Sequence, residues 1–96
     1  MKRKRYIVSY DIANPKRLRN VARIAEGFGY RLQFSVFECM LDPLRLEEMK
    51  AELVETIHHT EDQVLFIALG TKQADSSLAI ESLGIPYKQH SRITII

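Results

Sequence analysis

The sequence predicts a small domain of mixed α and β structure in which strands alternate with two helices, and three observations carry this. An alternating aromatic and β-branched run over 6–11 reads as a strand, because such side chains suit a pleated, half-buried surface. Asn14-Pro15 and Asp42-Pro43 each combine a capping residue with proline at the first helical position, so two helices start there. A run of apolar residues without alternation, Val64 to Leu69, reads as a third clear strand with both faces covered.

The first strand places Tyr6, Val8, Tyr10 and Ile12 on one face and Ile7, Ser9 and Asp11 on the other. Its last residue is an acid beside a strand-to-helix turn, a position suited to a carboxylate that binds a metal or a phosphoryl group. Asp11 as a simple turn cap is the competing reading. The helix opened by Asn14 and Pro15 carries Leu18, Val21, Ala22, Ala25 and Phe28 on one side, and it is expected to close near Gly29 in a left-handed cap. Lys16, Arg19 and Arg23 lie opposite at helical spacing, with Arg17 adjacent.

Residues 30–41 form a β-prone stretch too long for one average strand. No Gly or Asn marks a turn near Ser35. A single curved strand would give a parallel β-α-β-α-β sheet and a reversal an antiparallel β-α-β-β-α-β sheet; the residues leave both open. A second helix follows Asp42, burying Leu46, Met49, Leu53 and Ile57 and turning Glu47, Glu48, Glu52 and Glu55 outward. Beyond the strand at 63–69, a short helix is expected over 76–83, ending at Gly84, and then an Ile-rich terminal strand over 92–96 that must pair with a sheet edge.

With 96 residues the chain is expected to be one domain, large enough for a core but small enough that a large site needs a partner. If both helices cover one sheet face, something must cover the other, and a second copy in a homodimer with sheet faces opposed is the simplest answer. The single cysteine, Cys39, excludes an internal disulfide and a cysteine-based zinc site and suits a reducing compartment. The basic start is followed by strand-like residues rather than a cleavage site, and no apolar run is long enough to span a membrane, so a cytoplasmic protein is expected. Residues 1–31 hold nine basic and two acidic side chains, and the rest five and ten. That polarity suits a polyanion on one side, most simply nucleic acid.

Three stretches carry a resemblance: Tyr6-Ile7-Val8-Ser9-Tyr10-Asp11-Ile12, the Asn14-Pro15 helix start with Arg17, Arg19 and Arg23, and above all Arg31-Leu32-Gln33-Phe34-Ser35-Val36-Phe37-Glu38-Cys39. Together they resemble the small core Cas protein of CRISPR adaptation modules, the second of the universal pair, across almost the whole chain. The resemblance implies a ferredoxin-like β-α-β-β-α-β fold with an antiparallel sheet, hence a reversal at Ser35. It also implies a homodimer with a terminal strand added to the partner's sheet. Such proteins are metal-dependent endoribonucleases, some acting on double-stranded DNA, and they bridge dimers of the integrase subunit in the complex that acquires spacers.

The family's metal acid matches Asp11. In a two-fold dimer Asp11 and its mate would hold one Mg²⁺ between them, with Ser9, Ser35, main-chain carbonyls and waters completing an oxygen shell. Tyr10 would support the site, and Arg17, Arg19 or Arg31 would neutralise phosphate. Phe37 would pack against a base, the interface or the core. Arg31 is also a candidate to pair with Glu38 across the hairpin. The alternative function is a non-catalytic dimeric adaptor that holds duplex DNA and docks the integrase subunit.

Overall fold

The structure, a computed structural model, describes residues 2–69 and 80–88. Its elements are β1 (Lys4–Asp11), α1 (Pro15–Glu26), β2 (Gly29–Gln33), β3 (Val36–Leu41), α2 (Pro43–Thr56), β4 (Gln63–Leu69) and β5 (Ile80–Gly84). The strands form one sheet in the order β2-β3-β1-β4-β5, with every neighbouring pair antiparallel. Two β-α-β units are thus interleaved, with β3 between β1 and β2 and β1 between β3 and β4. This is the ferredoxin-like α+β arrangement, and the chain does reverse at Ser35.

Both helix starts follow from local chemistry. Asn14 Oδ1 accepts from the Lys16 and Arg17 amides at 2.9 and 3.0 Å, and Asp42 Oδ1 accepts from the Arg45 amide at 2.8 Å. The helices pack on the sheet face that carries Tyr6, Val8, Tyr10, Phe37, Cys39, Leu41, Val64 and Phe66, to which they contribute Val21, Ala25, Leu46, Met49, Leu53 and Ile57. Cys39 is buried in this core, and burial, with the Glu38 charge beside it, pushes its thiol up to about 11.

The turn at Phe34-Ser35 contains no left-handed residue, since Gly84 alone has positive φ among the described residues. A shift in register between Arg31 and Gln33 bends β2 instead, which is why no Gly or Asn is needed there. Two expectations about glycine are corrected. Helix α1 ends at Glu26, with Gly27 right-handed at φ −74°, so Gly29 is not its left-handed cap. Gly29 begins β2, where a side chain would run into the Glu38 carbonyl and Cys39 Sγ.

Gly84 ends a strand, not a helix. Residues 80–84 pair with β4 from Ile67↔Ile80 to Gln63↔Gly84, because they complete an antiparallel ladder that a short helix would leave open. Residues 76–79 of that expected helix, and the expected terminal strand at 92–96, lie outside the described residues.

The second face of the sheet carries no helix among the described residues. The direct pairs Ile7↔Ile67, Ser9↔Leu65, Ser9↔Val36 and Ile67↔Ile80 put these side chains together there, all half-buried. In β4, Val64 and Phe66 lie under the helices, while Leu65 and Ile67 face outward. Among the described residues, helices therefore cover only one face of this strand.

Candidate nuclease site at the end of the first strand

Asp11 closes β1, opposite Gln63 of β4, at one end of the open face. It is exposed, and its carboxylate takes no hydrogen bond or ion pair among the described residues. The turn-cap reading of Asp11 fails for a definite reason: Asn14 caps the helix, and the loop amide of Ala13 donates to Asp62 instead. What remains is a solvent-facing carboxylate with unused lone pairs. Such a group suits a Mg²⁺ ion, which takes one or two protein carboxylates and keeps several waters. Among the described residues no three His, Cys, Asp or Glu side chains converge on a metal-sized site.

The neighbours of Asp11 divide between the two faces. Ser9 shares its face, one strand repeat away. Tyr10 points into the core, stacked on Phe37 with ring centroids 6.1 Å apart. Its amide donates to the Ser35 carbonyl at 3.1 Å and its hydroxyl to the Phe34 carbonyl at 3.4 Å, tying the β2–β3 turn to the end of β1. Burial, partly offset by Arg31, raises the Tyr10 phenol. Phe37 is fully buried, so in this chain it is core and offers no ring to a base.

The arginines are equally distinct. Arg31 reaches Glu26 at 3.6 Å, not Glu38, and its guanidinium lies 5.2 Å from the Phe37 centroid. Glu38 pairs with Arg5 across β1 and β3 at 3.2 Å. Arg19 is exposed and unpaired among the described residues, on the same helix as exposed Lys16 and Arg23. Arg17 is turned inward: Nε donates to Asp62 Oδ2 at 2.8 Å, and Nη2 to Asp62 Oδ1 at 3.3 Å and Glu61 Oε1 at 2.9 Å.

Asp62 is the residue that sequence reasoning missed. It is fully buried and also accepts from the amides of Ala13 and His58, each at 2.8 Å. Burial alone would raise its pKa, but the hydrogen bonds from Arg17, Ala13 and His58 outweigh this and hold the carboxyl at about 2. One carboxylate thereby joins the loop behind Asp11, the start of α1 and the segment after α2. The only trace of it in the sequence is an acid directly before an apolar strand.

Comparison with known proteins agrees with this architecture. The family model described as CRISPR associated protein Cas2 matches residues 4–76. A CRISPR-associated endoribonuclease Cas2 of Geobacter sulfurreducens is 49% identical over 65 residues, covering 68% of each chain. A second, from Rhodospirillum rubrum, is 42% identical over 91 residues, 95% of this chain and 88% of that one. Among solved structures, Streptococcus pyogenes Cas2 superposes with a TM-score of 0.65 at 36% identity, covering 71% of this chain and 88% of that one. A further Cas2 crystal structure covers 99% of both chains, with a TM-score of 0.66 and 25% identity. With its family model matched over most of its length and its fold shared with solved members, the chain belongs to the CRISPR-associated Cas2 family.

Proposed function

We propose that this protein is a divalent-metal-dependent endonuclease of CRISPR adaptation, cleaving phosphodiester bonds of single-stranded RNA or of duplex DNA as a homodimer. The observation that carries the reading is Asp11, an exposed carboxylate without a protein partner among the described residues, at the end of a half-buried apolar sheet face. A second copy laid on that face would bury Ile7, Leu65 and Ile67 and bring a second Asp11 toward the first. The relatives from Geobacter sulfurreducens and Rhodospirillum rubrum, named as CRISPR-associated endoribonucleases, support the same chemistry.

Mg²⁺, when bound, supplies Lewis acidity toward a phosphate oxygen and lowers the pKa of a coordinated water. Asp11 would hold the ion through its carboxylate oxygens. Ser9, on the same face, would donate a hydrogen bond from its hydroxyl to a water or phosphate oxygen at the site. Arg19, with Lys16 and Arg23, holds the polyanion backbone electrostatically, and Arg31 neutralises phosphate near the β2–β3 turn. Arg17 acts from behind, through Asp62, which fixes the loop that follows Asp11. The exclusion of bulk water would come from the partner copy.

A second reading has its own observation: among the described residues no cluster of three metal-ligating side chains forms around Asp11. In it the dimer is a non-catalytic adaptor that holds duplex DNA on its basic side and bridges integrase subunits. Cleavage by purified wild-type and Asp11→Asn protein, titrated with Mg²⁺ on RNA and on duplex DNA, separates the two. The nuclease reading expects divalent-dependent cleavage that the substitution abolishes. Equal cleavage by both proteins would overturn it, and loss of cleavage with spacer acquisition intact would show that the adaptor role is independent.

A further inference from the structure

The aromatic ring that the core conceals at Phe37 has an open counterpart three residues earlier. Phe34, in the turn between β2 and β3, is 73% exposed. An apolar ring held in water gains nothing from burial within its own chain. Its position is nevertheless fixed, since its carbonyl accepts from the Tyr10 hydroxyl at 3.4 Å and the next carbonyl, of Ser35, accepts from the Tyr10 amide at 3.1 Å. Phe34 is therefore tethered to the residue immediately before Asp11. The Arg31 guanidinium lies 5.9 Å from the Phe34 centroid and 5.2 Å from that of Phe37, so one cation stands between a buried ring and an exposed one. Its side chain is 43% exposed and meets Glu26 at 3.6 Å, which leaves the guanidinium open to solvent beside Phe34.

This combination matches an unpaired nucleotide. A base freed from its own stack has a π-face for the Phe34 ring, and the phosphate attached to it is an anion for Arg31. A base pair inside a duplex already has both faces stacked and offers none to a side chain. Stacking is also indifferent to base identity, because every base presents such a face. We propose that Phe34 and Arg31 form a base-stacking subsite for single-stranded nucleic acid next to Asp11, and that this subsite favours unpaired over paired strands. The proposal rests on the nucleic-acid reading above and adds to it the group that selects strandedness.

The chain contains no tryptophan, so Phe34→Trp installs a single fluorescent reporter at the subsite. A labelled homopolymeric single strand and a labelled duplex of equal length are titrated in chelator, with label anisotropy reporting binding independently of the indole. The subsite requires indole quenching by the single strand and none by the duplex. It also requires that Phe34→Ala weaken single-strand binding roughly 5- to 100-fold while leaving duplex binding unchanged, with Phe34→Tyr restoring it. Single-strand binding seen by anisotropy with no change at the indole, or with full affinity in Phe34→Ala, would overturn the subsite and leave the nucleic-acid reading standing. Indole emission that follows protein concentration but not oligonucleotide would assign the ring to a protein contact and overturn the subsite too. Failure of wild-type protein to bind either strand at low salt would overturn the nucleic-acid reading, and the subsite with it.

Discussion

Replacing Asp62 by Asn keeps the shape of the buried side chain and removes its charge, which isolates what the carboxylate does. In the folded chain the group sits at about 2, against an ordinary 3.8. Each pKa unit corresponds to about 1.4 kcal/mol. Allowing for screening through Arg17, whose side chain is 23% exposed, ionisation contributes about 1–2 kcal/mol. In the D62N protein the amide nitrogen faces two donors on whichever side it lies, the Ala13 amide with Arg17 Nη2 or the His58 amide with Arg17 Nε; Nη2 keeps Glu61, so the first arrangement leaves the Ala13 amide unmatched at a further cost of about 1–3 kcal/mol. The sum is about 2–5 kcal/mol, or a melting temperature lower by roughly 8–40 °C for a domain of this size. The pKa is depressed on folding, so the ionic part is fully present above the unfolded value near 4 and is lost as pH falls toward about 2. Urea denaturation at pH 7 and at steps down to pH 3 measures both quantities. A D62N protein within about 0.5 kcal/mol of wild type at pH 7, or a gap that does not narrow toward acid, would refute the role given to Asp62.

Four further outcomes follow from the same geometry. Arg19→Ala should flatten the salt dependence of duplex binding by about 0.9 in the log–log slope, whereas Arg17→Ala should lower thermal stability and leave that slope unchanged; salt titrations of both variants check this. Gly29→Ala should destabilise by about 1–3 kcal/mol because its methyl meets the β3 backbone and Cys39, while Gly27→Ala, at a right-handed φ, should stay within about 1 kcal/mol of wild type in the same denaturation assay. Cys39, with its thiol near 11, should resist alkylation at pH 8 in the folded protein and react only on unfolding, as mass spectrometry of iodoacetamide-treated protein would show. Ile67→Glu, on the open sheet face, should shift the protein toward monomer in analytical ultracentrifugation with little loss of fold, since this side chain is only half-buried in one chain.

Features set by neighbours in the chain were legible in the sequence. The caps Asn14 and Asp42 lie next to the prolines that start their helices, and the 63–69 strand is found with the boundaries its apolar run suggests. The face of Asp11 followed from parity alone. Features set by distant residues were not. The β2–β3 reversal depends on a register shift and on Tyr10, 24 residues from Phe34 in sequence, so residues 30–41 carry no local turn signal. Gly29 and Gly84 were both read as helix stops, yet one permits close strand approach and the other, at φ +80°, ends a strand. Glycine's two uses look the same in a sequence. Arg17 and Arg19 likewise look interchangeable on α1, and only Asp62, 45 residues beyond Arg17, separates their roles.

At the centre of the proposed activity are two Asp11 carboxylates from separate chains holding one metal ion. Mn²⁺ binding followed by electron paramagnetic resonance, with the association state measured in the same samples, tests this directly. The expected result is about one ion for every two chains, bound only by the dimer and lost in Asp11→Asn. Binding that survives the substitution, or one tight ion on each monomeric chain, would contradict it.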